Sequence, residues 1–388
     1  MKPPLSKLGH RRELIRQFTP NWFTMTMGTG IVALALGRTS ELLPILWNLG
    51  ATLWVINIAL FLLFVSMYCA RWIFFFDGAK RIFHHSVMCM FFGAIPMGLA
   101  TIINGFLVFG IPLIGERAIS IAFSLWWLDA AMALICGLLI PFFMFTRHDH
   151  SLQSMTAVWL LPIVAAEVTA ASGGLLISHM NAGSSATQIL FISYSLWGFS
   201  VLPALAVLVI LFLRMVLHKL PGRDMAASSW LSIGPIGTGA LGLLLLGTQA
   251  QRILISPDLI SVGIVAHGFG ILGATILLGY GFWWLVIAIL TTLRYLRDGL
   301  PFNMGWWAFT FPIGVYSLAT LSLADSTGIQ WLYYFGYAFV SMLIFFWYVV
   351  MGSTLRGAYH GNVFFSPCIS DGTGLQLPSK SEKQKVNL

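Results

Sequence analysis

The chain has 388 residues, of which 58% are hydrophobic and only 9% charged, with a formal net charge of +8. Charged residues make up roughly a quarter of an ordinary soluble domain, so a soluble enzyme, a secreted disulfide domain and a disordered chain are excluded. The cysteines Cys69, Cys89, Cys136 and Cys368 form no C-x-x-C pair and imply neither a disulfide framework nor a zinc site.

A membrane helix needs ~20 mostly apolar residues. In chain order the candidate stretches are 22–38, 46–70, 86–110, 118–144, 153–178, 187–213, 229–250, 259–293, 304–324 and 330–352. They predict an all-α integral membrane protein with ten transmembrane helices. Residues 1–20 read as a basic N-terminal tail, 21–352 as the transmembrane domain and 353–388 as a polar, largely disordered tail. The eighth stretch exceeds one bilayer crossing, so a long helix, a helix broken at its glycines and a hairpin all remain open. Trp22, Trp72, Trp159, Trp230 and Trp331 fall near span ends, where interfacial anchors sit.

Ten spans put both termini on one side. If that side is the cytoplasm, only Arg38, Arg117 and Arg252 of the 21 Lys and Arg lie outside. The cytoplasmic set includes Lys2, Lys7, Lys380, Lys383 and Lys385 in the tails. That asymmetry is what the positive-inside rule asks for. The positive charge is then an orientation signal facing a lipid bilayer, and no nucleic-acid partner is expected.

The odd-numbered stretches share a pattern. The third holds Ile95-Pro96-Met97-Gly98, the fifth Leu161-Pro162-Ile163-Val164, the seventh Gly234-Pro235-Ile236-Gly237 and the ninth Phe311-Pro312-Ile313-Gly314. The first has Met27-Gly28-Thr29-Gly30 after Pro20. The four prolines are 66, 73 and 77 residues apart, one helical hairpin each, which predicts five hairpins repeated in parallel. Proline inside a helix kinks it, and broken helices in lipid face protein or a water-filled path. The odd stretches also carry small polar residues such as Thr101, whereas the even ones are bulkier. Five kinked helices around an axis are expected, with Gly28, Thr29, Gly30, Pro96, Gly98, Thr101, Pro162, Pro235, Gly237, Pro312 and Gly314 as lining or kink positions.

No Lys or Arg lies mid-span. Two acids do: Asp129, read as a packing residue, and Glu167, on the fifth stretch, a candidate proton site or a buried acid bonded to backbone. Helix ends can attract an anion without basic side chains. No Walker A motif or set of histidine boxes is present, so neither an enzyme nor a cofactor is expected.

Arg16–Pro20 through Met27–Ile31, Pro96–Asn104, Leu125–Asp129, Gly234–Gly237 and Trp307–Pro312 together resemble the tellurite-resistance/dicarboxylate transporter family. That family includes sulfite efflux pumps, malate permeases and slow anion channels. The resemblance runs from about residue 16 to 350. It implies ten helices in quasi-fivefold array around a central pore, and a homotrimer with one pore per protomer. It also implies a phenylalanine plug in the ninth helix. Phe311 matches that position, and Phe309 is the second choice. The implied function is export of a small oxoanion such as sulfite across the plasma or inner membrane. The alternative is proton-coupled transport of a C4-dicarboxylate such as malate.

Overall fold

The computed structural model describes residues 5, 8 and 10–369. Lys2, Lys7, Lys380, Lys383 and Lys385, and the tail beyond residue 369, lie outside the described residues. The described chain is all helical. Its long helices are α1 (Phe23–Arg38), α2 (Ile45–Phe74), α3 (Ala94–Gly105), α4 (Arg117–Thr146), α5 (Leu161–Ile177), α6 (Ser184–His218), α7 (Ile233–Ile253), α8 (Ile260–Leu296), α9 (Phe311–Thr327) and α10 (Gln330–His360).

Among the described residues, nine helical stretches are long and apolar enough to cross a membrane. The exception is α1, whose 16 residues span about 24 Å at ~1.5 Å per residue. The expectation of ten full-length spans is corrected to that extent. The α-helix starts late because a 3₁₀ turn, Pro20–Trp22, precedes it.

The same construction recurs in every odd helix. A 3₁₀ segment leads into each: Met88–Gly93 into α3, Ala157–Leu160 into α5, Arg223–Ser232 into α7 and Met304–Phe309 into α9. Pro96, Pro162, Pro235 and Pro312 occupy the second or third residue of the α-helix that follows. The mid-helix kink expected at these prolines is therefore overturned. In the first turn a proline's missing N–H removes no helical bond, and its fixed φ suits the helix start. The prolines inside helices are Pro141 in α4 and Pro203 in α6.

Odd and even helices differ in burial. In the apolar stretches that contain α3, α5, α7 and α9, between 61% and 89% of residues are buried; for the even helices the share is 22% to 33%. All of Phe23–Leu36 in α1 is buried. Small side chains let the odd helices pack on every side. The even helices bury one stripe: on α2 it is Gly50, Trp54, Asn57, Phe61, Phe64, Tyr68 and Arg71, a 4-3 spacing that leaves the opposite face to lipid. Contacts run from α1 to α3, α5, α7, α9 and back to α1, and each even helix lies against the two odd helices that flank it in this ring.

The 35-residue apolar run is one continuous helix, α8, with 37 residues over about 55 Å. Its glycines serve contact and leave the helix unbroken. A Cβ on Gly263 would sit 2.8 Å from the Ala250 carbonyl oxygen, and one on Gly270 2.7 Å from that of Leu243. Backbone-to-backbone approach between α7 and α8 requires glycine at both.

Two smaller expectations also change. Trp22 and Trp230 are buried packing residues, with Trp230 Nε1 donating to Thr292 Oγ1 at 2.9 Å. The polar tail was expected from residue 353, but α10 runs to His360. Gly361–Ile369 then folds back: Phe364 stacks on Trp22 at 4.8 Å, and the Ser366 N–H donates to Gln17 Oε1 at 2.8 Å. The fully buried Arg71 guanidinium holds this end together, donating to the carbonyls of Phe18 and Gly78.

Candidate functional site

Two adjoining cavities are lined by residues of the ring helices and their lead-in segments. The larger, about 740 Å³, is bounded by residues from the lead-in segments of all five odd helices, the last turns of α10 and the folded-back C-terminal segment. Asn21, Val87, Val158, Asp224, Asn303 and Arg356 mark its circumference. The odd helices therefore all start at one end. At the other end, Arg38 at the close of α1 pairs with Asp325 near the close of α9. There too Arg252 of α7 donates to the Ile177 and Met180 carbonyls at the close of α5, at 2.5 and 3.1 Å. The five odd helices are thus parallel.

The smaller cavity, about 10 Å³, adjoins the larger one, sharing Met27, Leu161 and Leu231 with it. Such a space holds about one water. Every odd helix contributes: Met27, Met97, Leu161 and Val164, Gly234 and Pro235, Phe311 and Pro312. No charged side chain lines it, and Phe311 is buried there.

The two phenylalanine candidates part company. Phe311 lines the small cavity and makes no ring–ring contact among the described residues. Phe309 lines neither cavity and packs against Trp230, Trp306 and Phe346, with ring centroids 5.2 to 5.9 Å away.

Most of the other expected lining residues point elsewhere. A Cβ on Gly28 would meet Thr310 and Trp307, and one on Gly30 would meet Thr101. Gly98 faces Thr26, Gly237 the Tyr316 backbone and Gly314 Ile31. These glycines close helix–helix contacts. Thr29 Oγ1 accepts from Trp347 Nε1 at 3.2 Å, and Thr101 Oγ1 from Asn57 Nδ2 at 3.3 Å, so both face outer helices. Pro96 and Pro162 bound neither cavity; Pro235 and Pro312 do bound the small one. Sequence reasoning missed Met27, Met97, Leu161 and Gly234. Each adjoins an expected position, one residue and so about 100° around its helix. Aligned on their prolines, Leu161, Gly234 and Phe311 each precede the proline whereas Met97 follows it, so no single column of the repeat marked the lining.

The two span acids lie behind the ring. Asp129 on α4 accepts from Thr169 Oγ1 at 2.6 Å, and Trp126 Nε1 donates to the Thr169 carbonyl at 2.9 Å, which ties α4 to α5. Glu167 is fully buried, with neither carboxylate oxygen hydrogen-bonded among the described residues, and it borders neither cavity. The reading of Glu167 as bonded to backbone is not met. Outside the spans, burial and then the neighbouring His148 push the His150 imidazole below its ordinary range. Burial and Arg252 do the same for His179. Among the described residues no cluster of His, Cys, Asp and Glu is arranged to hold a metal ion.

Known proteins resemble this chain over most of its length. The family model for voltage-dependent anion channels (SLAC1) matches residues 17–355. The sulfite efflux pump of Trichophyton rubrum is 36% identical over 343 residues, covering 88% of this chain and 91% of that protein. That of Arthroderma otae is 38% identical over 311 residues, covering 80% and 82%. The malic acid transport protein of Schizosaccharomyces pombe is 25% identical over 366 residues, covering 92% and 81%. With nine helices among the described residues long and apolar enough to cross a membrane, and a family match over most of its length, this chain is a multi-pass membrane protein of a channel and transporter family, not an enzyme: it belongs to the voltage-dependent anion channel family.

Proposed function

We propose that the chain carries small oxoanions, sulfite foremost, out of the cell through a pore between its five odd helices, with Phe311 as the gate. The observation that carries this reading is the small apolar cavity, to which every odd helix contributes and which Phe311 bounds at the base of a wide vestibule. A passage with room for about one water and no polar lining blocks a hydrated ion, and a constriction of this kind gates by admitting or excluding water. All five odd helices point their N-terminal, positive dipole ends toward the vestibule, which favours an anion there. The sulfite efflux pumps among its relatives supply the choice of anion.

In this reading the five odd helices and their even partners form five hairpins in quasi-fivefold array, with α1 and its 3₁₀ turn as the tenth element. The vestibule, both termini and most of the Lys and Arg share the cytoplasmic side of the plasma or inner membrane. The protein assembles as a homotrimer, and exposed apolar side chains such as Leu62, Phe145, Ile276 and Tyr348 meet lipid or a neighbouring copy.

Sulfite and nitrate flux into proteoliposomes of purified wild type and of Phe311→Ala tests the proposal; no flux of either anion through either protein would sink it. The second reading, proton-coupled malate transport, is favoured by the malic acid transport relative and by the fully buried Glu167. Malate uptake driven by a pH gradient would select it.

A further inference from the structure

The vestibule wall has few groups free to bind a ligand. Thr24 donates to the Asn21 carbonyl and Ser228 to that of Met225, both at 2.6 Å. Asn303 gives its NH₂ to the Asp224 carbonyl at 2.9 Å and takes the Gly305 N–H at 2.8 Å. In contrast, Ser353, Arg356 and His360 lie three and four residues apart on α10, on the face that borders the vestibule. Residues at that spacing share one side of a helix. None of the three side chains has a hydrogen bond or ion pair among the described residues, and Arg356 is the one Lys or Arg bordering the cavity. The single carboxylate there, Asp224, has no ion pair either.

We propose that Ser353, Arg356 and His360 form a capture site for the oxoanion in the vestibule, where the Arg356 guanidinium grips two oxygens before the anion reaches Phe311. This rests on the anion-transport reading above and deepens it. A guanidinium presents parallel N–H donors that match two oxygens of a planar or pyramidal oxoanion, whereas an ammonium offers a point charge. Asp224 opposes the site and lowers its affinity. The site loads the path on the vestibule side, and the apolar constriction beyond it releases the anion only when Phe311 moves.

The test is flux against concentration in proteoliposomes, for sulfite and for chloride, with wild type and with Phe311→Ala to hold the path open. Arg356→Gln should raise half-saturating sulfite about tenfold, the loss of one charge-assisted contact, with little change in maximal flux. Arg356→Lys should harm sulfite more than chloride, which has no oxygens to grip. Asp224→Asn should lower half-saturation. An unmoved half-saturation in Arg356→Gln overturns the site. So does a Tm loss with half-saturation unmoved, which would make Arg356 a cation that merely steadies the α10 C-terminus. If wild type and Phe311→Ala are both silent, the transport reading fails instead. Sulfite titration into purified protein by calorimetry then still tests the site, through the difference between wild type and Arg356→Gln.

Discussion

One guanidinium nitrogen of Arg38, at the end of α1, lies 2.6 Å from each carboxylate oxygen of Asp325 on α9, joining residues 287 positions apart. Tyr333 adds its hydroxyl to the same carboxylate at 3.1 Å. The pair closes the ring where the first odd helix meets the last. It is partly exposed, so Coulomb attraction is modest and salt-screened, ~0.2–1 kcal/mol for such a pair. Asp325→Asn should lower Tm by a degree or two at low salt and by less at high salt; an equal loss at both would contradict the screened-pair account.

Phe311 and Phe309 are two residues apart and should behave oppositely. Phe311→Ala removes a ring from the small cavity, so conductance should rise while the fold survives. Phe309→Ala empties an aromatic cluster with Trp230, Trp306 and Phe346 and should cost about 3–5 kcal/mol without opening the path. Planar-bilayer recording and thermal melts of both proteins decide it, and an open Phe309→Ala with a tight Phe311→Ala would reverse the gate assignment.

Two glycines on α8 give a matched pair. Gly270→Ala places a Cβ 2.7 Å from the Leu243 carbonyl oxygen, whereas Gly268→Ala meets nothing within 4 Å. The first should destabilise by about 1–3 kcal/mol through overpacking, and the second should be neutral or better because alanine favours helix. Melting temperatures in detergent read the difference directly.

Acid should weaken the fold through His150. Its Nε2 is buried with no hydrogen-bond partner among the described residues, and its pKa is lowered, so the folded state prefers the neutral ring. The unfolded chain then binds more protons, and stability is full above pH ~6.5 and lost as pH falls below it. Tm should drop between pH 7.5 and 5.5, and His150→Gln should shrink that drop. The same slope in both proteins would clear His150.

Glu167→Gln separates the two transport readings. The residue borders neither cavity, so in an anion channel the isosteric change should leave sulfite flux and its pH dependence within about twofold of wild type. Collapse of pH-driven malate uptake would favour the carrier.

How much was legible in the sequence can be seen at two levels. Periodicity and polarity are properties of a single helix, so the small-residue helices and the bulky ones were separable before any packing was known; burial of the odd helices and exposure of the even ones follow from that division. The Pro-x-Gly repeats also marked the right turns. Their role did not follow, because a proline reads the same whether it kinks a helix or starts one, and the preceding 3₁₀ segments are what make Pro96, Pro162, Pro235 and Pro312 starters.

The sequence by itself determined that this is a membrane protein of many helices, because apolar content and the scarcity of charge are sums along the chain. It also carried, through combined motifs, the family. Tertiary structure decided which residues meet at the centre. One step along a helix turns a side chain by about 100°, so only packing against four other helices could put Met27, Met97, Leu161, Gly234 and Phe311 inside and turn Gly28, Thr29 and Thr101 toward their neighbours.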